Sequence, residues 1–231
     1  MRHFESAKHA LREILRDIQE RGVEVHPGRM QDKETKGDTQ FLTKELLNYS
    51  FAIIDVSDLD KLASDLVCNK TWADSEFDER ISDKLINPGE AWKKRSEVWE
   101  EFLIKNKGKF TYTYNERIRT QIKNVIRELK LHPNTRQAIL SIYNPDIDNN
   151  NIGVDRISCS MFYQFIFRDN KLNIIYNMRS SDYHLHFRND IYLACKMLNY
   201  VAKECNMKVG NFFMNISSLH IYKRDWDKTI Y

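Results

Sequence analysis

Residues 156–182 read RISCSMFYQFIFRDNKLNIIYNMRSSD, and the order of apolar and polar side chains there sets the fold class. Two runs rich in aromatic and branched residues, 161–168 and 171–178, predict paired strands. Arg168-Asp169-Asn170-Lys171 between them has the residue types of a tight hairpin turn. Just before the first strand stands Cys159, between Ser158 and Ser160; just after the second come Arg179, Ser180, Ser181 and Asp182. A cysteine among polar residues, upstream of an Arg-Ser pair, suggests a thiolate nucleophile with an anion site nearby.

Outward from this hairpin, strand and helix patterns mix. Residues 4–21 place Phe4, Ala7, Leu11, Ile14, Leu15 and Ile18 at helical spacing. Residues 26–40, from His26-Pro27-Gly28-Arg29 to Lys36-Gly37-Asp38, are polar and glycine-containing and read as a mobile loop. Leu46 to Val56 reads as a strand and Asp58 to Val67 as a short helix. Residues 72–104 read as charged helix interrupted at Asn87-Pro88-Gly89, and 120–131 as an amphipathic helix ended by His132-Pro133. A strand at 137–143, a helix from Asp190 to Glu204 and a last strand from Gly210 to Tyr222 complete the pattern. No repeat or low-complexity linker divides the chain, so residues 1–231 are expected to form one α+β domain.

Composition excludes more than it selects. The chain has 231 residues, a 42% hydrophobic fraction and a net charge of +3, with both signs interspersed. That balance gives no footprint for direct nucleic-acid binding and suits an anionic small molecule. The cysteines at 68, 159, 195 and 205 lack CxxC spacing, so neither zinc nor a disulfide framework is expected. His184 and His186 have no third ligand candidate, so no metal is expected there either. No leader opens the chain and no apolar run approaches membrane length, which makes a cytoplasmic protein the expectation.

Four segments, in order, resemble the thymidylate synthase family. Asn134-Thr135-Arg136-Gln137 with Asn144-Pro145 is similar to its arginine-pair strand, and Cys159 through Gln164 to its nucleophile segment. Arg179-Ser180-Ser181-Asp182 is similar to its phosphate segment, and Ser218-Leu219-His220-Ile221-Tyr222 to its ribose-contacting strand. The N-terminal half matches through Arg29, Glu76 and Tyr114. The resemblance implies a mixed β-sheet flanked by helices, dimerising through the sheet.

It also implies a chemistry that explains the residue set. C5 of a pyrimidine is a poor nucleophile; a thiolate adding to C6 converts the ring to an enamine or enolate and activates C5. Cys159 takes that role by resemblance, with Arg179 favouring its ionised form. A buried, inert cysteine is the alternative, and Cys68, Cys195 and Cys205 are read that way. Arg29, Arg179 and Ser180 match phosphate ligands, and Arg136 matches an arginine that reaches the partner's site in a homodimer. The second arginine of that pair is Gln137 here, one positive charge fewer. Gln164 matches a glutamine near base and nucleophile. His220 and Tyr222, two apart on a strand, match the ribose ligands. Asp182 and Trp99 match contacts to the one-carbon donor, 5,10-methylenetetrahydrofolate, although Trp99 also reads as ordinary core. Glu76 matches the family's water-organising glutamate, with Asp65 as a competitor. Tyr114 matches the tyrosine that helps remove the C5 proton, with a packed strand tyrosine as the alternative.

Asp190 discriminates within the family. Residues 179–190 run without a gap, and thymidylate synthases carry at the matching position an asparagine that reads uracil. Cytosine inverts that pattern, offering a 4-amino donor and an N3 acceptor, which a protonated carboxyl group fits. The deoxycytidylate hydroxymethylases of T-even phages have aspartate there and share Asn-Met-Arg-Ser, Phe-Arg-Asn-Asp and Ser-Leu-His with this chain. The competing reading makes Asp190 a helix N-cap. Ser160, where thymidylate synthases usually carry histidine, points the same way. So does the end at Tyr231, nine residues after Tyr222, where thymidylate synthases continue into a tail that excludes water. The expected function is therefore folate-dependent C5 hydroxymethylation of a cytidine nucleotide, most simply deoxycytidylate. In a phage that product serves DNA modification in the host cytoplasm. Alternatives are a thymidylate synthase, a deoxyuridylate hydroxymethylase, or a nucleotide-binding homologue without the chemistry.

Overall fold

The computed structural model describes residues 1–31 and 33–228. Its strands are β1 (Arg2–Phe4), β2 (Val23–Val25), β3 (Arg29–Met30), β4 (Lys33–Glu34), β5 (Thr43–Ile53), β6 (Ile139–Ser141), β7 (Ser160–Arg168), β8 (Lys171–Asp182) and β9 (Lys208–Tyr222). Its α-helices are α1 (Ala7–Arg21), α2 (Leu59–Leu66), α3 (Lys70–Ile81), α4 (Ser96–Trp99), α5 (Tyr114–Ile118), α6 (Ile122–Leu131), α7 (Pro145–Asp148) and α8 (Phe187–Glu204). One mixed sheet runs β1-β5-β9-β8-β7-β6, with β2 pairing the start of β5; β3 and β4 form a separate ribbon. A mixed sheet flanked by helices is the expected α+β class.

The central hairpin forms as its sequence dictates. Asp169 and Asn170 both hold positive φ, 52° and 59°, the conformation a two-residue turn needs and that Asp and Asn tolerate. Arg168 and Lys171 close the turn, and the register runs to Tyr163 opposite Tyr176. β8 extends four residues past the expected 178, so Arg179, Ser180 and Asp182 are strand residues: Ser180 and Asp182 pair with β9, and the Arg179 N–H donates to the Cys159 carbonyl at 2.9 Å. β8 and β9 are parallel, and α8 makes the crossover that parallel neighbours require. Its Ile191, Ala194, Cys195, Leu198 and Val201 are buried, with Phe187 against Phe51 at 5.8 Å between ring centres.

At the opposite edge, Ser6 caps α1 by accepting from the His9 N–H, a cap contributing about 1 kcal/mol. α1 stops at Gly22, where a Cβ would collide with the Ile18 carbonyl oxygen. Phe4, read as helical, lies instead on β1, which pairs in parallel with the end of β5. Three other expectations shift. Residues 72–104 hold one long helix, α3, and then short 3-10 and α turns between 91 and 102. The strand at 137–143 shortens to β6, because Ala138 and Ile142 bond to β7 outside the regular ladder. The loop 26–40 contains the β3–β4 ribbon, with Gln31 at its tip in a left-handed conformation. Among the described residues no helix is long and apolar enough to cross a membrane.

Candidate active site

A cavity of about 780 Å³ opens on the ends of β8 and β9. It is lined by Arg29, Trp99, Tyr114, Cys159, Arg179, Ser180, Asp182, Asp190, His220 and Tyr222, so most of the expected site converges there. The register explains part of this: Ser180 pairs with Ser218 and Asp182 with His220, which places these residues and Tyr222 on one face.

Cys159 sits at the entry to β7, half-buried and free of any disulfide. Three donors converge on its sulfur: Arg179 Nη2 at 3.6 Å, Ser180 Oγ at 3.7 Å and Gln31 Nε2 at 3.8 Å. The Gln31 amide oxygen also accepts from the Ile157 N–H at 3.2 Å, tying the ribbon tip to the nucleophile segment. Arg179 is anchored from below: its Nε donates to the Ser158 carbonyl at 2.8 Å and its Nη2 to the Ile157 carbonyl at 3.4 Å. Carbonyls rather than a carboxylate hold it, so its positive charge stays available to an anion or a thiolate. Arg29 enters from the ribbon, bonding the Gly153 carbonyl and lying 3.6 Å from Glu34.

Asp190 is not the helix cap. α8 begins at Phe187, so Asp190 lies within the first turn, with its N–H bonded to the His186 carbonyl at 3.0 Å. Asn189 is occupied too, accepting from the Asn69 N–H at 3.0 Å. The Asp190 carboxyl keeps an opening on the cavity, yet the protein around it strips enough water to push its pKa up to about 7. Arg80 and Arg95 pull against that shift and Glu76 adds to it. A carboxyl at that value is part protonated at neutral pH, so it can both accept and donate.

Behind Asp190, Arg80 is buried, ion-paired with Glu76 at 2.8 Å and stacked 4.0 Å over the Tyr114 ring. Glu76 therefore reaches the site through Arg80. It does not line the main cavity but a small chamber beside it, shared with Tyr114 and Trp99. Its competitor Asp65, on α2, lines neither space. Truncating one partner of such a buried pair costs about 3–5 kcal/mol, so Glu76→Gln probes its chemistry better than alanine does.

The far wall is aromatic. Trp99 stacks on Trp72 at 6.0 Å, and the Arg156 guanidinium lies 4.8 Å over Trp99, 5.2 Å over Phe102 and 4.8 Å over Tyr112. His186 packs 6.0 Å from Trp99, and burial with the nearby Arg95 lowers its pKa to about 3, so its imidazole is neutral. The His184 backbone N–H donates to Asp182 Oδ1 at 2.9 Å, and its imidazole Nδ1 is buried without a partner. Burial raises the Asp182 pKa and lowers that of His220, and it pushes Tyr222 up to about 12. Among the described residues no group of three His, Cys, Asp or Glu side chains could hold a metal ion.

Two expected residues lie elsewhere. Gln164 does not line the cavity: strand alternation puts it on the face opposite Tyr163, where its amide donates to the Arg136 carbonyl at 2.9 Å. Arg136 is exposed and lines neither space of its own subunit. Conversely, the sequence reading passed over Gln31, Arg80 and Arg156. Arg156 was visible three residues before Cys159, but nothing local told it from a solvated arginine. Gln31 and Arg80 lie 128 and 79 residues from Cys159 and carry no pattern at all.

A sequence model of the family described as Thymidylate synthase matches residues 39–230, and the chain belongs to that family. Among the similar proteins is one named "Putative thymidylate synthase" from Methanosarcina barkeri, 34% identical over 59% of this chain and 66% of its own length. The "Deoxycytidylate 5-hydroxymethyltransferase" of Enterobacteria phage T4 is 29% identical over 59% of each chain. The "Deoxyuridylate hydroxymethyltransferase" of Bacillus phage SP01 is 32% identical over 48% of this chain and 29% of its own length. The matches thus span less than two thirds of these relatives.

Proposed function

We propose that the protein transfers a one-carbon unit to C5 of a pyrimidine nucleoside monophosphate, and that a cytidine nucleotide, most simply deoxycytidylate, is hydroxymethylated. The observation that carries the choice of base is the Asp190 carboxyl, held at about 7 on the cavity wall. Half protonated, it accepts from the 4-amino group and donates to N3; uracil offers the opposite pair. The second reading, action on a uridine nucleotide, is favoured by the names of the archaeal relatives and of the SP01 enzyme.

In this reading Cys159 adds to C6, with donors from Arg179, Ser180 and Gln31 converging on its sulfur. Arg179, Ser180 and Arg29 hold the phosphate, and His220 and Tyr222 the ribose. The aromatic wall of Trp99 and Phe102, with the buried and unpartnered Asp182 Oδ2, fits a flat donor carrying N–H groups. That is the character of methylenetetrahydrofolate, which supplies the one-carbon unit. Tyr114 helps remove the C5 proton by orienting, through its hydroxyl, the water that takes it, and Glu76, through the side chamber, orders the water that completes hydroxymethylation. The exposed Arg136, beside the outer face of the sheet, fits service in a partner's site within a homodimer.

The test is product mass after incubation with methylenetetrahydrofolate and either deoxycytidylate or deoxyuridylate. A gain of one hydroxymethyl group on deoxycytidylate alone is expected. A gain on deoxyuridylate alone would overturn the reading of Asp190, and no gain on either would overturn the transfer itself.

A further inference from the structure

We propose that Ser160 is a positioning residue that aims the Tyr114 hydroxyl at the reacting carbon through a buried chain of hydroxyl groups. The inference rests on the C5-transfer reading above. It begins with an irregularity in the sheet. Strict alternation along β7 would put Ser160 with Phe162 and Gln164 on the outer face. The ladder shifts between Ser160 and Phe162, so Ser160 faces Met178 and joins Tyr163 and Tyr176 on the inner, buried face. One extra residue in a strand re-aims the side chains that precede it.

Turned inward, Ser160 is fully buried and bonded at both ends. Its Oγ lies 3.0 Å from the Tyr114 hydroxyl and also bonds the Tyr176 hydroxyl. Tyr176 is fixed in turn by stacking on Tyr163 at 4.5 Å. A serine hydroxyl has one proton and two lone pairs, so between two phenols it sets the direction of the whole chain. With Tyr114 donating to Ser160, the Tyr114 oxygen presents a lone pair to the cavity. With the chain reversed, Ser160 donates to Tyr114 and the phenol presents its own proton.

Chemistry needs that choice at Tyr114 and nowhere else in the chain. Tyr114 lines the cavity, while Tyr163 and Tyr176 do not. Burial raises its pKa, so it stays a phenol at neutral pH and acts by where its proton points. Arg80 clamps the ring from one face at 4.0 Å, which leaves the hydroxyl torsion as its free coordinate. Packing alone gives no reason for the arrangement, because Phe at 176 and Ala at 160 would fill the space without burying polar groups. The serine next to the nucleophile is thus a working part of the site, coupled to it through the core.

The experiment follows tritium release from C5-tritiated deoxycytidylate with methylenetetrahydrofolate, alongside nucleotide affinity and the pH profile of release. Ser160→Ala and Tyr176→Phe should keep nucleotide affinity within about twofold and slow release by about 10- to 100-fold, with a larger isotope effect. Ser160→Thr, which restores a hydroxyl, should recover release. Tyr176→Phe carries the test if Ser160→Ala fails to fold, since it is remote from the ligand. Release unchanged in both variants, or lost only in proportion to nucleotide affinity, overturns the role of Ser160. No release from the unaltered protein overturns the C5-transfer reading, and this role with it.

Discussion

Around Cys159 three donors converge on one sulfur atom, whereas around Asp190 water is withdrawn and no hydrogen-bond donor among the described residues replaces it. Both groups line the same cavity, and the protein surrounds them differently. At the thiol end Arg179, Ser180 and Gln31 place three donors within reach of the sulfur. At the carboxyl end burial favours the neutral form, and Arg80 and Arg95 only moderate it. The lesson is that one cavity can surround a nucleophile's sulfur with donors and still leave a base-recognition carboxyl dry enough to keep its proton. Neighbouring groups, not residue type, decide which surroundings a side chain meets.

The sharpest way to break this comparison is to remove the sulfur. Cys159→Ala should lower C5-tritium release by at least about 10³-fold, as loss of a nucleophile does, with nucleotide binding retained. Release within tenfold of the unaltered protein would mean that no covalent adduct is needed. Arg179→Lys keeps the charge but loses the fork that spans the Ser158 and Ile157 carbonyls and the sulfur. Nucleotide affinity should fall about 10- to 100-fold, measured by titration calorimetry; a change under twofold would show that charge alone suffices.

Asp190→Asn tests the other end by three readouts. Base preference should move from cytosine toward uracil by roughly 10- to 100-fold in kcat/KM, the scale of a mispaired hydrogen-bonding edge. The fall of deoxycytidylate turnover above about pH 7, where the carboxyl ionises, should disappear. Stability follows with a definite sign. Between the ordinary carboxyl value of 3.8 and about 7 the folded protein keeps a proton that the unfolded chain gives up. Stability therefore falls as pH rises through that window, and the deficit is complete above it. Asp190→Asn removes the deficit and should be more stable at pH 8 by on the order of 1 kcal/mol, with the gain absent near pH 4. A thermal melt that shows the same difference at both values would dismiss the raised pKa. The smallest effect belongs to Gln164→Ala. Its amide serves the Arg136 carbonyl on the far face, so nucleotide affinity should change by no more than about twofold.

Much of the architecture was legible because it is local. Helical spacing marked α1, α6 and most of α8, and Asp169-Asn170 announced the turn between β7 and β8. The short strands β1, β2 and the β3–β4 ribbon were not legible, since so few residues carry no period of their own. In the site, Cys159, Arg179, Ser180, Asp182, His220 and Tyr222 came from contiguous segments, and two-residue alternation carries Ser180, Asp182, His220 and Tyr222 onto one face. Gln164 was misplaced for the converse reason: nearness to Cys159 in the chain does not show that alternation along β7 sets it on the face opposite buried Tyr163.

By itself, then, the sequence determined the α+β class, the β7–β8 hairpin and the thiol with its arginine, because each depends on residues close in the chain. Only the tertiary structure decided the rest. It set Asp190 inside the first turn of α8 rather than at its cap, and it withheld water from that carboxyl. It brought Gln31 to the sulfur and Arg80 to Tyr114 across long stretches of chain, and it turned Ser160 inward. The physical reason is common to all of these. Burial, desolvation and strand register are set by what packs against a residue, and distant segments supply those neighbours.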